Sequence, residues 1–463
     1  MKQYDLIVVG GGGGTKLVSP AAKLGLKVAI IEKEKLGGTC LNRGCIPSKM
    51  LIHAADVATT IREAHRFEIA VGSQPEVYFE ELIRRVNSTI GEESESIVEA
   101  YAKNPLIDYY HGHGRFVGSK QIQVGNETLT ADKIFIPVGA RAKIPRIEGL
   151  ESVPFMTYRE ALRNPKKPKR LVVIGGGYIA CELGYFYAAL GVETTFLVRS
   201  CFLRHEDEEV QRAFAAAFTK KFDVRQGAKP LKVSFDGENY TIDYAQEGKT
   251  HRLECDALLV AAGVVASTAD LGLENTGVKL TAEGFVKVDP FLETTAPGIY
   301  CFGDAIGRNL YRHTANFEGE YLFRQLYGGE PKAPIDYSPV PHAVFSHPQI
   351  GAVGKTEEQL KEEGVNYIVG NNPYSSSAMG MALRSEEGFC KLLFDRKTKK
   401  LLGGHILGDE ASDMIHMVIA FMNMGATLDD MLKTIYIHPA LPEIVRNAAR
   451  KAREQLEYAD STR

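Results

Sequence analysis

The sequence predicts an α/β protein with two parallel-sheet units in one chain, on three observations. An apolar run from Tyr4 to Val9 leads into five glycines, Gly10 to Gly14, then a helical stretch through Lys23 and a second apolar run, Lys27 to Ile31. The same order recurs from Arg170: an apolar run to Ile174, the glycine-rich GGGYIACELG, and a further run from Thr194 to Val198. The length, 463 residues, corresponds to roughly three domains at about 150 residues each. Glycine, 45 residues in all, exceeds the usual proportion of about 7%, and its surplus falls at the ends of apolar runs.

Composition narrows the function classes. A hydrophobic fraction of 44% with 24% charged residues is ordinary for a chain that buries sizeable cores. A net charge of −3 gives no bulk electrostatic case for nucleic-acid or membrane-surface binding. No apolar run reaches the roughly 18 residues of a transmembrane helix, and the run after Met1 is too short for a signal peptide. Seven cysteines, scattered except for one pair, do not suit a disulfide-stapled secreted protein. A cytoplasmic location is expected.

In the first unit Glu32 closes the second strand, 22 residues after Gly10. That spacing fits a dinucleotide site. Gly10 permits the tight turn, Gly12 lets the backbone approach a pyrophosphate, and the helix N-terminus favours negative charge. Glu32 would accept hydrogen bonds from a ribose. Thr15 stands where a third glycine is usual, with Gly14 beside it. The second unit, with Gly175 and Gly177 in the turn, differs at the discriminating position. Val198 and Arg199 occupy the slot of Glu32, and Glu193 lies at the wrong end of its strand. Arg199 and Arg204 would pair with a ribose 2′-phosphate, which favours NADP over NAD. Ala180, in place of the third glycine, points the same way. The competing reading has both arginines as surface residues beside the acidic stretch Glu206 to Glu209. The basic cluster Lys166 to Arg170 marks a domain boundary.

Cys40 and Cys45 lie in GGTCLNRGCIPSK. Their spacing is not that of a zinc knuckle, and no second pair completes a metal site. In a regular helix their Cα atoms would be about 9 Å apart, whereas a disulfide wants less than about 7 Å. An irregular first turn is therefore expected, made cheap by Asn42 and Gly44, with a regular helix starting at Pro47 and running through Ala58. A thiolate at a helix N-terminus is stabilised. These features describe a redox-active disulfide; the alternative is two free buried thiols.

With GGTCLNRGCIPSK and GGGYIACELG, the segments CFGDA at Cys301 to Ala305, FSHPQIGAVGKTEEQ from Phe345 and IHPALPE from Ile437 complete an ordered set. The chain resembles the FAD-dependent pyridine nucleotide–disulfide oxidoreductases of the glutathione reductase and dihydrolipoamide dehydrogenase type. The resemblance implies two Rossmann-like dinucleotide-binding domains, for FAD and NAD(P), plus a C-terminal α+β dimerisation domain. The expected bounds are 1–149 and 264–335 for the FAD and central parts, 150–263 for NAD(P)H, and 336–463 for the interface. It further implies that Gly10, Gly12, Gly14, Glu32, Gly38, Thr39, Lys49, Gly139, Gly303 and Asp304 hold FAD, with Asp304 on the ribityl chain. Gly175, Gly177, Tyr178, Ile179, Glu182, Arg199, Arg204 and Gly263 would hold the nicotinamide nucleotide, Tyr178 as a gate over its pocket. Cys45 would lie against the flavin as a thiolate and Cys40 would attack the substrate, with Lys49 and Glu182 paired beside the flavin edge.

His438 and Glu443 match the family's His-Pro-x-x-x-Glu dyad, supplied by the neighbouring subunit of a homodimer. An imidazole moves the thiol proton, and a carboxylate fixes its tautomer. The segments LVRSCFLRHEDEE, LYRHTANFEGE and IHPALPEIVRNA look most like mycothione reductases, which use NADPH to reduce a low-molecular-weight disulfide. The alternative is a dihydrolipoamide dehydrogenase acting on a lipoyl protein. Mercuric reductase is set aside, because no cysteine follows Cys390. Gly263-Val264 and Pro137-Val138-Gly139 depart from the family's usual Gly-Arg and Ala-Thr-Gly. His111 and His113 are read as loop or adenine-lining residues, the helix around Met414 to Met424 as packing, and Lys361 to Glu363 as a solvated turn. No metal site is expected.

Overall fold

The computed structural model describes residues 1–73 and 75–461. The strand Lys2–Val9 pairs in parallel with Val28–Glu32 on one side and Glu127–Phe135 on the other. Its residues Leu6 to Val9 are buried, as expected of an uninterrupted apolar run at the centre of a parallel sheet covered on both faces. Ile107–His111 extends the sheet beyond Val28–Glu32, and Gln121–Val124 and Arg115–Gly118 complete the other edge as antiparallel strands. The short strand Ile299–Tyr300 returns to this sheet from much later in the chain, pairing with Ile134 and Phe135. The segment between Ala142 and Val264 is inserted, and Leu271, Leu273, Val278 and Val286 are back in the core of the first sheet.

The insertion contains a four-stranded parallel sheet in the order Asp223–Gln226, Glu193–Val198, Arg170–Ile174, Ala257–Val260. A three-stranded antiparallel layer, residues 229–255, packs beside it. The chain enters and leaves through Ala140–Ala142 and Val264–Ala266, zipped as an antiparallel ribbon. Gly139 at φ +70° and Gly263 at φ +106° turn the backbone at its ends, where an L side chain would be strained. Each also contributes a carbonyl, Gly139 to Ser267 N–H at 3.0 Å and Gly263 to Lys143 N–H at 2.9 Å. The C-terminal part is a five-stranded antiparallel sheet, Pro341–Val344, Gln349–Gly354, Leu401–Gly408, Phe389–Asp395 and Tyr367–Pro373 in spatial order. Helices Ala411–Asn423 and Pro442–Ser461 pack on it. Met414 is buried there and Met424 exposed.

One sequence expectation is corrected. Lys361 is not in a turn: it lies in the helix Glu357–Glu362, started by a capping box in which Thr356 and Gln359 satisfy each other's backbone N–H groups. It pairs with Glu357 at 3.0 Å. Within the acidic stretch Glu206 to Glu209, the fold commits the carboxylates elsewhere than to Arg199 and Arg204, which are exposed. Asp207 is fully buried, caps the helix Glu208–Lys221, and takes Lys391 Nζ at 2.9 and 3.0 Å. Lys391, also buried, reaches Glu209 at 3.1 Å and Glu357 at 2.6 Å. Burial alone would raise the Asp207 pKa, but the ammonium of Lys391 holds it below the ordinary value. This node bolts the inserted unit to the C-terminal sheet. Lys391→Met is expected to destabilise the protein by about 3–5 kcal/mol, because it strands a buried carboxylate. Urea unfolding should show it, with partial recovery on adding Asp207→Asn.

Candidate active site

The glycine turn is built for close approach. A Cβ on Gly10 would lie 2.6 Å from the Pro137 carbonyl oxygen, and one on Gly38 would lie 2.5 Å from Gly12 Cα. Gly14 has no room either, facing Val8 and the Gly10 carbonyl. It is therefore Gly14 that provides the tight helix–strand contact, and Thr15 begins the helix Thr15–Lys23, its hydroxyl donating to the Gly12 carbonyl at 2.9 Å. Glu32 accepts from Gly11 N–H and Glu34 N–H, both at 2.8 Å. Each oxygen keeps a lone pair for a ribose hydroxyl.

A cavity of about 850 Å³ runs from this turn past the thiol pair to the second unit. Gly10, Gly12, Glu32, Gly38, Thr39, Cys40, Cys45, Lys49 and Gly139 line it from the first part of the chain, and Gly303 and Asp304 from its return. Tyr178, Ile179 and Glu182 close it from the second unit. Gly14, Gly175, Gly177, Gly263, Arg199, Arg204, His438 and Glu443 are not among the lining residues. The volume and the chemistry fit a dinucleotide: a glycine turn bare of side chains at Gly12, a fixed acid at Glu32, and a second acid at Asp304.

The irregular turn between the cysteines is a break. Gly38–Arg43 is one short helix, Gly44 stands at φ −143° and ψ −115°, and Cys45–Glu63 is the next. That helix continues past Ala58, with Pro47 in its first turn. The cysteines are thiols here and hydrogen-bond each other. The hydrogen bond from Cys45 lowers the Cys40 pKa to about 7, against the effect of burial and with help from the charges of Arg312 and Lys49. Cys45 is pushed strongly upward by the same bond and by burial. The two sulfurs are coupled and titrate as a pair.

Lys49 Nζ donates to Glu182 Oε2 at 2.7 Å, and the other oxygen of Glu182 takes Phe345 N–H at 3.0 Å. The ammonium also sits 4.2 Å from the centre of the Phe345 ring. Asp304 lies on the turn Gly303–Ile306 after Ile299–Tyr300, and burial, opposed by Arg312, raises its pKa to about 6. Sequence reasoning missed what holds this turn. Glu318, fully buried, accepts from Gly303 N–H at 2.5 Å and Tyr337 Oη at 2.6 Å. Its partners stand 15 and 19 residues away, so no compact motif announces it.

His438 Nδ1 lies 3.0 and 3.1 Å from the Glu443 oxygens. Burial raises the Glu443 pKa, but Ala440 N–H, His438 and Arg446 bring it below the ordinary carboxylate value. The imidazole side chain is 71% exposed, and among the described residues it is not part of the lining of the cavity that holds the thiols. Arg199 and Arg204 are exposed, and among the described residues no carboxylate pairs with them. His113 lines the cavity, its Nε2 2.9 Å from the Asp270 carbonyl oxygen, and His111 is a strand residue opposite Glu32. Among the described residues no cluster is placed to hold a metal ion, and no helix is long and apolar enough to cross a membrane.

Comparison with known proteins agrees with this geometry. The profile of the pyridine nucleotide-disulphide oxidoreductases matches residues 4–319, and that of their dimerisation domain matches residues 340–449. Mycothione reductase of Mycobacterium tuberculosis is 34% identical over 463 residues, 97% of this chain and 99% of that protein. Dihydrolipoyl dehydrogenase of Corynebacterium glutamicum is 33% identical over 462 residues, 97% of each. Among solved structures, the HOCl-induced flavoprotein disulfide reductase RclA from Escherichia coli, in a Cu(II) complex, superposes with a TM-score of 0.87. It is 28% identical, covering 97% of this chain and 99% of that one. The chain belongs to the pyridine nucleotide-disulphide oxidoreductase family, as a flavoprotein disulfide oxidoreductase that uses FAD and NAD(P)H and carries a dimerisation domain.

Proposed function

We propose that this enzyme is a cytoplasmic, NADPH-dependent reductase of a low-molecular-weight disulfide, working as a homodimer with each active site shared between subunits. One observation carries the reading: a single cavity touches the glycine turn, the Cys40–Cys45 pair and the Tyr178–Glu182 face of the second unit. The expected domain bounds enter this reading, supported by the sheet return at Ile299–Tyr300 and the ribbon at residues 140–142 and 264–266. Bound FAD would supply the two-electron relay between nicotinamide and the cysteine pair.

The chain's own residues do the sulfur chemistry. The Cys40 thiolate attacks one sulfur of the substrate disulfide, whose S–S bond breaks as a mixed disulfide forms. The departing thiolate takes a proton from His438 of the other subunit, whose tautomer Glu443 fixes. Cys45 loses its proton and attacks Cys40, closing the Cys40–Cys45 disulfide and releasing the second thiol. Two electrons have then left the pair. Lys49 and Glu182 keep a balanced charge beside the reacting edge. Ile435 and Ile437, 97% and 80% exposed next to His438, support burial of this segment against a second subunit.

Arg199 and Arg204 support NADPH, since the nearby acids are committed to Lys391 and His342. Arg199→Ala and Arg204→Ala are each expected to raise KM for NADPH about 10- to 100-fold, the value of a lost charge-assisted hydrogen bond, and to leave NADH use unchanged. Equal stopped-flow rates of wild-type flavin reduction by NADPH and NADH would overturn the preference. The second reading, oxidation of dihydrolipoyl groups, is favoured by dihydrolipoyl dehydrogenases of similar identity. Turnover with both nucleotides on oxidised lipoamide, glutathione disulfide and mycothiol-type disulfides separates the two.

A further inference from the structure

We propose that His342 and Glu206 are positioning residues for nucleotide choice: their hydrogen bond anchors the turn that presents Arg204 to the 2′-phosphate of NADP. The role rests on the NADPH reading. Arg204 and His205 are the exposed middle of a turn closed by Glu206 N–H, which donates to the Leu203 carbonyl at 2.9 Å. Leu203 stands at φ +47°, a left-handed conformation unfavourable for a residue with a Cβ, which persists where the surroundings hold it. Its N–H donates at 2.8 Å to the carbonyl of Gly176, so one end of the turn is tied to the second unit's own glycine loop. The other end is tied outside that unit. Glu206, 8% exposed, accepts from His342 Nε2 at 2.8 Å, and its second oxygen is buried without a hydrogen-bond partner. A buried carboxylate with one side-chain donor gives that donor up only at high cost. The place of His342 therefore sets the place of the turn.

His342 is itself fixed. It lies on the edge strand Pro341–Val344 of the C-terminal sheet. Its ring is parallel to that of Tyr311, with 4° between planes and 5.7 Å between centres, and both residues line the cavity. Just beyond the strand, Phe345 N–H donates to Glu182 Oε1 at 3.0 Å. This segment grips the second unit at two carboxylates, Glu182 at the expected nicotinamide end and Glu206 at the expected phosphate end. Asp207 with Lys391 fixes the start of the following helix, and Gln211 Nε2 reaches the Leu203 carbonyl at 3.1 Å. Neither Asp207 nor Gln211 is at the cavity wall, where His342 stands. Arg199 directly follows the strand Glu193–Val198, which places it without this anchor, so the effect of the bond falls on Arg204.

Wild-type, His342→Phe, Arg204→Ala and doubly substituted holoproteins are titrated calorimetrically with adenosine 2′,5′-bisphosphate and with 5′-AMP, which differ only in the 2′-phosphate. Phenylalanine keeps a ring against Tyr311 and removes the N–H donor. The expected result for His342→Phe is a Kd for the bisphosphate raised about 5- to 20-fold, with that for 5′-AMP changed by less than about twofold. In the Arg204→Ala background the same substitution should add nothing, because a positioning residue acts through the group it positions. An unchanged bisphosphate Kd in His342→Phe overturns the proposal, as do equal losses for the two ligands or losses that add in the double variant. If His342→Phe fails to fold, Glu206→Ala takes its place with the same expected pattern, since it leaves an imidazole at the cavity wall rather than a buried carboxylate without a donor. The wider reading fails in a different way. If the wild type binds the bisphosphate no more tightly than 5′-AMP, Arg204 holds no 2′-phosphate, and the NADPH reading falls together with the anchor.

Discussion

Replacing Cys45 by serine is expected to lower NADPH-dependent disulfide turnover by at least about 10³-fold, while NADPH still reduces the bound flavin. A serine hydroxyl is a far poorer nucleophile than a thiolate and cannot close a disulfide with Cys40. Its position makes the loss specific. Cys45 begins the second helix, after the break at Gly44, and faces the cavity directly, so a thiolate there would lie against bound flavin. Reduction of the wild type should produce long-wavelength thiolate-to-flavin absorbance that is absent in Cys45→Ser. Cys40→Ser should lose turnover equally but keep the absorbance. Stopped-flow spectra read both, and persistence of the band in Cys45→Ser would refute the assignment of Cys45 to the flavin side.

His438→Ala should cost about 10²- to 10⁴-fold in turnover, the usual worth of a positioned acid–base group, with little effect on stability because the imidazole is exposed. Glu443→Gln should cost less in turnover, since Ala440 N–H and Arg446 still hold the side chain. The stronger test is mixing. Co-expressed Cys45→Ser and His438→Ala chains are each inactive alone. Random pairing puts half of them in mixed dimers with one intact site, restoring about a quarter of wild-type activity if the site is shared across a two-fold axis. If His438 served its own chain's cysteines, no activity would return.

The local features were legible because local physics sets them. A buried parallel strand needs a continuous apolar run, a phosphate turn needs glycines after it, and a thiol pair five residues apart needs a broken helix; residues 4–32, 170–198 and 40–45 show all three. The dyad at His438 and Glu443 is local too, since Glu443 lies in the first turn of the helix Pro442–Ser461 and reaches back to Nδ1 five residues earlier. The short helix holding Lys361 escapes a reading of its charges alone, because the signal that starts it is the capping box of Thr356 with Gln359.

The sequence by itself determined the α/β class, the two glycine turns, the thiol pair and the family, since each is written within a few tens of consecutive residues. Only the tertiary structure decided which charges are free. Glu206 and Asp207 look like partners for the neighbouring arginines until the fold brings His342 and Lys391 to them from far along the chain. Glu182 takes Lys49 across a separation of 133 residues. Charge pairing depends on distances of a few ångströms in space, and those are set by how the sheets pack, which sequence spacing does not encode.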